Sequence, residues 1–348
     1  MNVLVTGAEG FAGRVLAEGL RERGDSVRAL IAKGTPAVVR ARFERARITV
    51  HECARDDEDA IAAAAKGVEC IVHTAPDQRL RGTLKQHNKQ TLIPAEATLA
   101  AAQRSGVRRV LLISNEAVTA GNSSRGYVDE MLPHASDHVS AYGEAMAIAE
   151  ALITAANGAH DTETVVLRPG LLWGPDDDEY LPEWIRRAKA RTFELVGEGT
   201  TLLPTTFTAN LVSAARNALI ASIAAGRVYY VSDDERITPK QFFTRLLVAL
   251  QLPAPRRRVP FTVEYASAWL AERFGREREF TRGDVVRFGT NVQFNLQRAR
   301  DEIQFVPMHI DAGLKQFVRW AERAGGADVI ARGDVCDLSS VVAMVESA

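Results

Sequence analysis

The sequence predicts an α/β protein, a doubly wound parallel sheet with a smaller mixed α/β lobe. Three observations carry this. Short apolar runs rich in β-branched residues alternate with helical stretches from Asn2 to about Arg168, the pattern of a parallel sheet with crossover helices. The first run, Asn2 to Thr6, leads into Gly7, Gly10 and Gly13 at G-x-x-G-x-x-G spacing, and then into a helical stretch from Phe11 to Arg23 that stops at Gly24. After Gly170 the alternation loosens, as it does where a second lobe begins. In a strand–turn–helix of this kind, Gly7 makes the tight turn, Gly10 lets backbone approach a pyrophosphate, and Gly13 lets the helix pack close to the strand. The helix N-terminus at Phe11 offers free N–H groups and a positive dipole end to phosphate. A dinucleotide site at the carboxyl ends of the strands is therefore expected.

The second strand, Ser26 to Ile31, follows the Gly24-Asp25 turn. Its end reads Ile31-Ala32-Lys33-Gly34 and carries no carboxylate to bond the ribose 2′-hydroxyl of NAD. Lys33, with Arg28, would meet the 2′-phosphate of NADP, so NADP is expected ahead of NAD; a solvated loop lysine is the alternative reading. Ile48 to Glu52 reads as a strand, Asp57 to Ala65 as an alanine-rich helix, and Glu69 to Thr74 as the fourth strand. The helix from Lys89 to Arg104 contains Pro94, which predicts a kink or a late start there. Arg109 to Ser114 is the fifth strand, Val139 to Ala156 a long helix, and Thr164 to Arg168 the sixth strand. Beyond Gly170, helices are expected over Pro182 to Ala190, within Thr205 to Ile223, and over Pro239 to Leu250 behind a Thr238 cap, with a strand at Val228 to Ser232. Phe261 to Phe274 is amphipathic but carries Glu264, Glu272 and Arg273, and reads as a helix covering a pocket.

Composition bounds the function. The 348 residues suffice for one large or two moderate domains. A net charge of −1 gives no electrostatic case for nucleic acid or an anionic membrane. The cysteines, Cys53, Cys70 and Cys336, are odd in number and scattered, which argues for a reducing compartment. The chain opens on its first strand and has no apolar run of membrane-spanning length, so a cytoplasmic location is expected. His134 and His138 stand at metal-pair spacing, but Pro133 and Asp137 make the segment a loop, and no metal is expected.

Several of these stretches resemble the extended short-chain dehydrogenase/reductase family (epimerase/dehydratase superfamily), most of all its 3β-hydroxysteroid dehydrogenase-like branch. TGAEGFAG is similar to that family's Rossmann-like nucleotide-binding turn. IVHTAP resembles V-x-H-x-A-A, which implies that the backbone at Thr74 and Ala75 passes beside the cofactor, with His73 structural. Asn88 in HNKQT matches the Asn of N-x-x-G-T. LRPGLLWGP resembles R-P-x-x-x-x-G-P and implies cofactor contacts at Arg168 and Pro169. Where the family has G-D-x-x-D after the third strand, Cys53 replaces the first Asp. The resemblance reaches about Arg323. It implies a dinucleotide-binding domain over 1–169, whose sheet takes back later segments, and a substrate lobe over 170–325. The tail, 326–348, reads as strand, G-D-x-x-D turn and helix, similar to a partial repeat of 48–65.

The resemblance also implies the chemistry. The family donates a proton from the Tyr of Y-x-x-x-K; spacing of four puts both side chains on one helix face. Bringing a tyrosine from about 10 to near 7 takes roughly 4 kcal/mol of phenolate stabilisation, which the Lys supplies. Here the segment is Tyr142-Gly143-Glu144-Ala145-Met146, so Tyr142 matches and Met146 replaces Lys. Glu144 would raise the tyrosine pKa if it faced inward. The family's substrate-holding Ser falls at Asn115 when counted back from Val118, with Ser114 adjacent. The leading expectation is an NAD(P)-dependent oxidoreductase acting on a ketone or secondary alcohol of a small apolar substrate, through Tyr142 with Asn115 or Ser114. A catalytically degenerate nucleotide-binding protein and a nucleotide-sugar epimerase or dehydratase are the alternatives. A homodimer through the Tyr142 helix and the helix before it is implied.

Overall fold

The computed structural model describes residues 1–77, 80–121, 125–274 and 280–333. Seven strands form the central sheet: β1 (Asn2–Thr6), β2 (Ser26–Ala32), β3 (Thr49–Cys53), β4 (Cys70–Thr74), β5 (Arg109–Ile113), β6 (Glu163–Pro169) and β7 (Arg227–Val231). Their order is β7-β6-β5-β4-β1-β2-β3, with every pair parallel. Burial on both faces explains why the central strands β1, β4 and β5 are largely apolar rather than alternating, whereas the edge strand β3 stays partly exposed and carries Thr49, His51 and Glu52. Val3, Val5, Ala29, Ile31, Leu111 and Ile113 face one layer, with helices α1 (Phe11–Glu22), α2 (Ala37–Arg45) and Thr208–Ile220. Leu4, Leu30, Ile71, Val110 and Leu112 face the other, with α3 (Glu58–Ala64), α4 (Ile93–Arg104) and α5 (Ala141–Ala155). That is the strand period of two written into the core.

The order of strands reverses between β1 and β4, and this switch point opens a crevice above their carboxyl ends. The sheet also takes in a late strand, β7, and the Thr208–Ile220 helix packs beside α1. Pro94 falls at a break in helical geometry: Leu84–His87 is α-helical, Asn88–Leu92 is a π-helical turn, and α4 begins at Ile93 with Pro94 in its first turn.

The second lobe has an aromatic core. Trp173 meets Phe207 at 4.8 Å and Phe242 at 5.5 Å, and Trp184 meets Phe243 at 5.0 Å. Buried Asp233 ties this core to the sheet: it accepts from Trp173 Nε1, Thr205 Oγ1, Phe207 N and Asn210 Nδ2. Two helices that the sequence reading missed, Arg282–Gly289 and Ile310–Arg323, complete the lobe, and a third, Gln297–Ile303, packs back on the sheet domain through Ala299 and Ile303.

The tail corrects one expectation. Ala327–Ile330 is a short helix, not a strand. Gly325 and Gly326, at φ +88° and +81°, turn the chain back so that Ile330 is buried in the lobe core, and Arg186 donates to the Ala331 carbonyl at 2.7 Å. A four-residue apolar run does not distinguish the two structures by periodicity. The G-D-x-x-D turn and helix expected over 334–348 lie outside the described residues.

Candidate active site

The glycine turn is built by close backbone approach. Gly7 has φ +69°, and a Cβ on it would lie 2.1 Å from the Thr74 carbonyl oxygen. A Cβ on Gly10 would lie 2.3 Å from the Pro76 carbonyl oxygen, and one on Gly13 2.3 Å from that of Gly7. Gly10 thus makes room first for the chain leaving β4, not for a pyrophosphate directly. Thr74 locks the two strand ends together: its hydroxyl donates to the Thr6 and Gly7 carbonyls at 3.1 Å each. Ala75 is buried beside it and Phe11 opens α1. A cleft of about 250 Å³ lies against this turn, lined by Gly10, Phe11, Arg14, Arg55, Asp77 and Glu179 among others. This closely packed turn under a helix N-terminus, beside the cleft, fits a dinucleotide pyrophosphate.

Around the adenosine end, the structure separates the two basic candidates. Lys33 is exposed after β2, with its backbone N–H on the Cys53 carbonyl at 3.0 Å. Arg28 points elsewhere and donates to the carbonyls of Ala64 and Lys66, so its partnership with Lys33 is corrected. Glu52, from the neighbouring strand, accepts the Gly34 N–H and pairs with Arg40. That carboxylate was missed because the sequence reading followed β2 alone. Cys53 is a packed thiol, pushed up to about 11 chiefly by burial. His73 is structural: its Nδ1 meets Thr6 Oγ1 at 2.7 Å, and burial holds its pKa down at about 4.

At the reacting end, Tyr142 is fully buried at the start of α5, behind the Ser140 N-cap. Among the described residues its hydroxyl has no hydrogen-bond partner, and its ring meets His87 edge-on at 5.4 Å. Such an orphan is costly in a core, and it fits a group waiting for a ligand oxygen. Met146 is also fully buried, whereas Glu144 is exposed and turned away from the site. Burial drives the Tyr142 phenol well above its ordinary pKa; Glu179, Glu116 and Asp77 add to this and Arg287 opposes it.

Ser114 and Asn115 part company. The Ser114 hydroxyl donates to Glu150 Oε2 at 2.6 Å in a buried cluster that also holds Arg168 and His134. Burial alone would raise the Glu150 carboxyl, but hydrogen bonds from His134, Arg168 and Ser114 and the charge of Arg168 bring it down to about 2. Arg168 is thereby tied to Glu150 and to the Tyr230 hydroxyl, and Pro169 ends β6. Asn115 instead caps the short 3₁₀ turn Glu116–Thr119, accepting from Ala117 N at 3.0 Å. Asn88 lies in the π-helical turn, with its Oδ1 buried and unpartnered. His134, drawn onto Glu150, is not half of a metal pair. Among the described residues no group of three or more His, Cys, Asp or Glu side chains is placed to hold a metal ion.

Three partners were invisible in the sequence because they come from the second lobe. Asp178 pairs with Arg14 at 2.7 Å, and Arg287 reaches Glu116 and Asn115. Asp177 is buried and accepts from the N–H groups of Glu179 and Tyr180 at 2.9 Å each. Burial, helped by Asp178, pushes its carboxyl up to about 7 against those N–H bonds. A folded pKa above the unfolded one stabilises the fold at low pH, and that contribution is lost as pH rises from about 4 to about 7. Asp177→Asn keeps the acceptor and removes the charge. It is expected to stabilise the protein by on the order of 2–4 kcal/mol at pH 8 and by much less at pH 5, read as two thermal melts.

Comparison with known proteins agrees with this geometry. Residues 4–260 match the 3-beta hydroxysteroid dehydrogenase/isomerase family. The chain is 29% identical over 332 residues to a 2-alkyl-3-oxoalkanoate reductase of Stenotrophomonas maltophilia, covering 91% of this chain and 98% of that one. It is 29% identical to a 4-hydroxy-2-methyl-3-oxo-4-farnesyl-3,4-dihydroquinoline-1-oxide ketoreductase of Stigmatella aurantiaca, over 88% of this chain and 92% of the other. Its fold is that of UDP-glucuronic acid 4-epimerase from Bacillus cereus, solved in complex with NAD. The TM-score there is 0.69 at 17% identity, over 92% of this chain and 98% of that one. No helix among the described residues is long and apolar enough to cross a membrane. The chain belongs to the 3-beta hydroxysteroid dehydrogenase/isomerase family.

Proposed function

We propose that this protein is a ketoreductase that works in the direction of reduction, with Tyr142 as proton donor and Asn115 as the second hydrogen bond to the substrate oxygen. The carrying observation is the buried, unpartnered Tyr142 hydroxyl. With no lysine on its helix face and a pKa held high by burial, Tyr142 stays a phenol at neutral pH. A phenol can give a proton to the alkoxide of a reduced ketone; it is a poor base for oxidising an alcohol. A bound nicotinamide cofactor supplies the hydride. The chain's own residues cradle its pyrophosphate at Gly7, Gly10 and Phe11, orient the substrate oxygen and deliver the proton. The ketoreductase relatives support a small apolar ketone as substrate.

We assign the cofactor as NADP, with Lys33 on the 2′-phosphate while Arg40 engages Glu52. Calorimetric titration is expected to give micromolar NADPH binding, weaker NADH binding, and loss of the difference in Lys33→Ala. Incubation with NADPH and a panel of 3-oxo acids and alkyl ketones is expected to consume NADPH. No binding of either cofactor, or no consumption across the panel, would return the protein to a degenerate role. A cytoplasmic homodimer completes the reading, since α4 and α5 expose Ile93 and Ile148. Light scattering at micromolar concentration is expected to return twice the chain mass, and a monomer mass removes the dimer.

A further inference from the structure

We infer that Arg287 is a positioning residue that makes Asn115 a hydrogen-bond donor to the substrate oxygen, and that it does so across the boundary between the two lobes. The inference rests on the ketoreductase reading of the site. Its core is the chemistry of one amide. Asn115 Oδ1 accepts from the Ala117 backbone N–H at 3.0 Å and from an Arg287 terminal nitrogen at 3.3 Å. Both partners are donors only, so the atom they meet must be the amide oxygen. The NH₂ group is then fixed on the other side of the amide, as a donor. A serine at this position would need no such device, because its hydroxyl turns to suit.

The guanidinium is itself over-determined. Arg287 is buried; its Nε donates to Glu116 Oε1 at 2.7 Å and a terminal nitrogen donates to the Tyr180 hydroxyl at 3.0 Å. One planar fork therefore spans Glu116, Asn115 and Tyr180, a task an ammonium cannot perform. The Arg282–Gly289 helix that carries it starts from a Thr281–Asp284 capping box, which fixes its first turn. On the other side of the boundary, the turn after Asn115 packs against the start of α5. A Cβ on Gly143 would lie 2.6 Å from the Ala117 carbonyl oxygen. Asn115 and Tyr142 therefore belong to one rigid unit, and Arg287 sets the amide relative to it.

The test is a double-mutant cycle between Arg287→Lys and Asn115→Ser, read as kcat and KM for ketone reduction. Lysine keeps the positive charge beside buried Glu116, whereas Arg287→Gln would strand that carboxylate and endanger folding. Arg287→Lys alone is expected to lower kcat about 10- to 100-fold with little change in KM. In the Asn115→Ser background the same change is expected to cost less than about threefold, because the amide is gone. Equal losses in both backgrounds would mean a merely structural arginine. A second readout needs no turnover: the side-chain amide ¹⁵N–¹H pair of Asn115, identified by its disappearance in Asn115→Ser. It is expected to be sharp in the wild type and shifted or broadened in Arg287→Lys. An unmoved pair overturns the positioning role even if the protein reduces no ketone, whereas an inactive wild type with a moved pair overturns only the ketoreductase reading.

Discussion

Gly10→Ala is expected to weaken NADPH binding about 10- to 100-fold, the cost of overpacking by 1–3 kcal/mol. The new Cβ would stand 2.3 Å from the Pro76 carbonyl oxygen and 2.7 Å from the Pro76 carbonyl carbon and Cα. All three are backbone atoms of the chain leaving β4, so no side chain can swing aside. Either that segment or the turn must move, and the turn carries the N–H groups and helix N-terminus that hold the pyrophosphate. Gly24→Ala is the control. It has φ +88° with nothing within 4 Å of a Cβ, so it costs backbone strain without crowding and lies at the far end of α1. It is expected to lower the melting temperature and leave NADPH affinity unchanged. Calorimetry on both variants separates local collapse of the cradle from general destabilisation. A Gly10→Ala protein that binds as tightly as the wild type would show that the pyrophosphate is not held by this turn.

What could be read in the sequence was what is local. Most sheet strands are single apolar runs, and the glycine turn, β1 and α1 are contiguous, so their order and type follow from neighbouring residues. Pro94 marked the irregularity in its helix for the same reason. The lobe helices Arg282–Gly289 and Ile310–Arg323 were missed because their apolar residues face an aromatic core assembled from many segments, and no short period announces that. The site divides along the same line. Tyr142, Asn115 and the glycines lie within motifs. Glu52 beside Lys33, Asp178 on Arg14 and Arg287 on Asn115 are contacts between elements distant in the chain, and a lone Arg in the Arg282–Gly289 helix reads as solvated until its partners are known. Ser114 and Asn115 show the limit most sharply. They are adjacent in sequence and equal as candidates, yet their side chains leave β5 in opposite directions. One is spent on Glu150 and the other is held at the site by Ala117 and Arg287.

Tyr142→Phe is expected to reduce ketone turnover by about 10²–10⁴-fold, the usual worth of a positioned general acid, while leaving cofactor affinity within about threefold. Among the described residues the hydroxyl has no hydrogen-bond partner, so its removal takes away a buried unsatisfied group and is expected to hold or raise the melting temperature. A variant that is dead and no less stable marks a group kept for chemistry; one with kcat near the wild type marks a structural tyrosine and a proton from elsewhere. Met146→Lys then tests why the phenol stays protonated. A lysine there would be introduced at a fully buried position, and desolvation lowers its own pKa and costs stability. What ammonium forms would favour the phenolate one helical turn away and bring the Tyr142 pKa down. The sign of the consequence is set by which form reacts. Reduction needs the phenol, so its rate in Met146→Lys should fall at alkaline pH where the wild type stays level. Oxidation of the alcohol needs the phenolate, so it should rise from background in the same range. If both pH profiles match those of the wild type, the missing lysine is not what sets the direction of this enzyme.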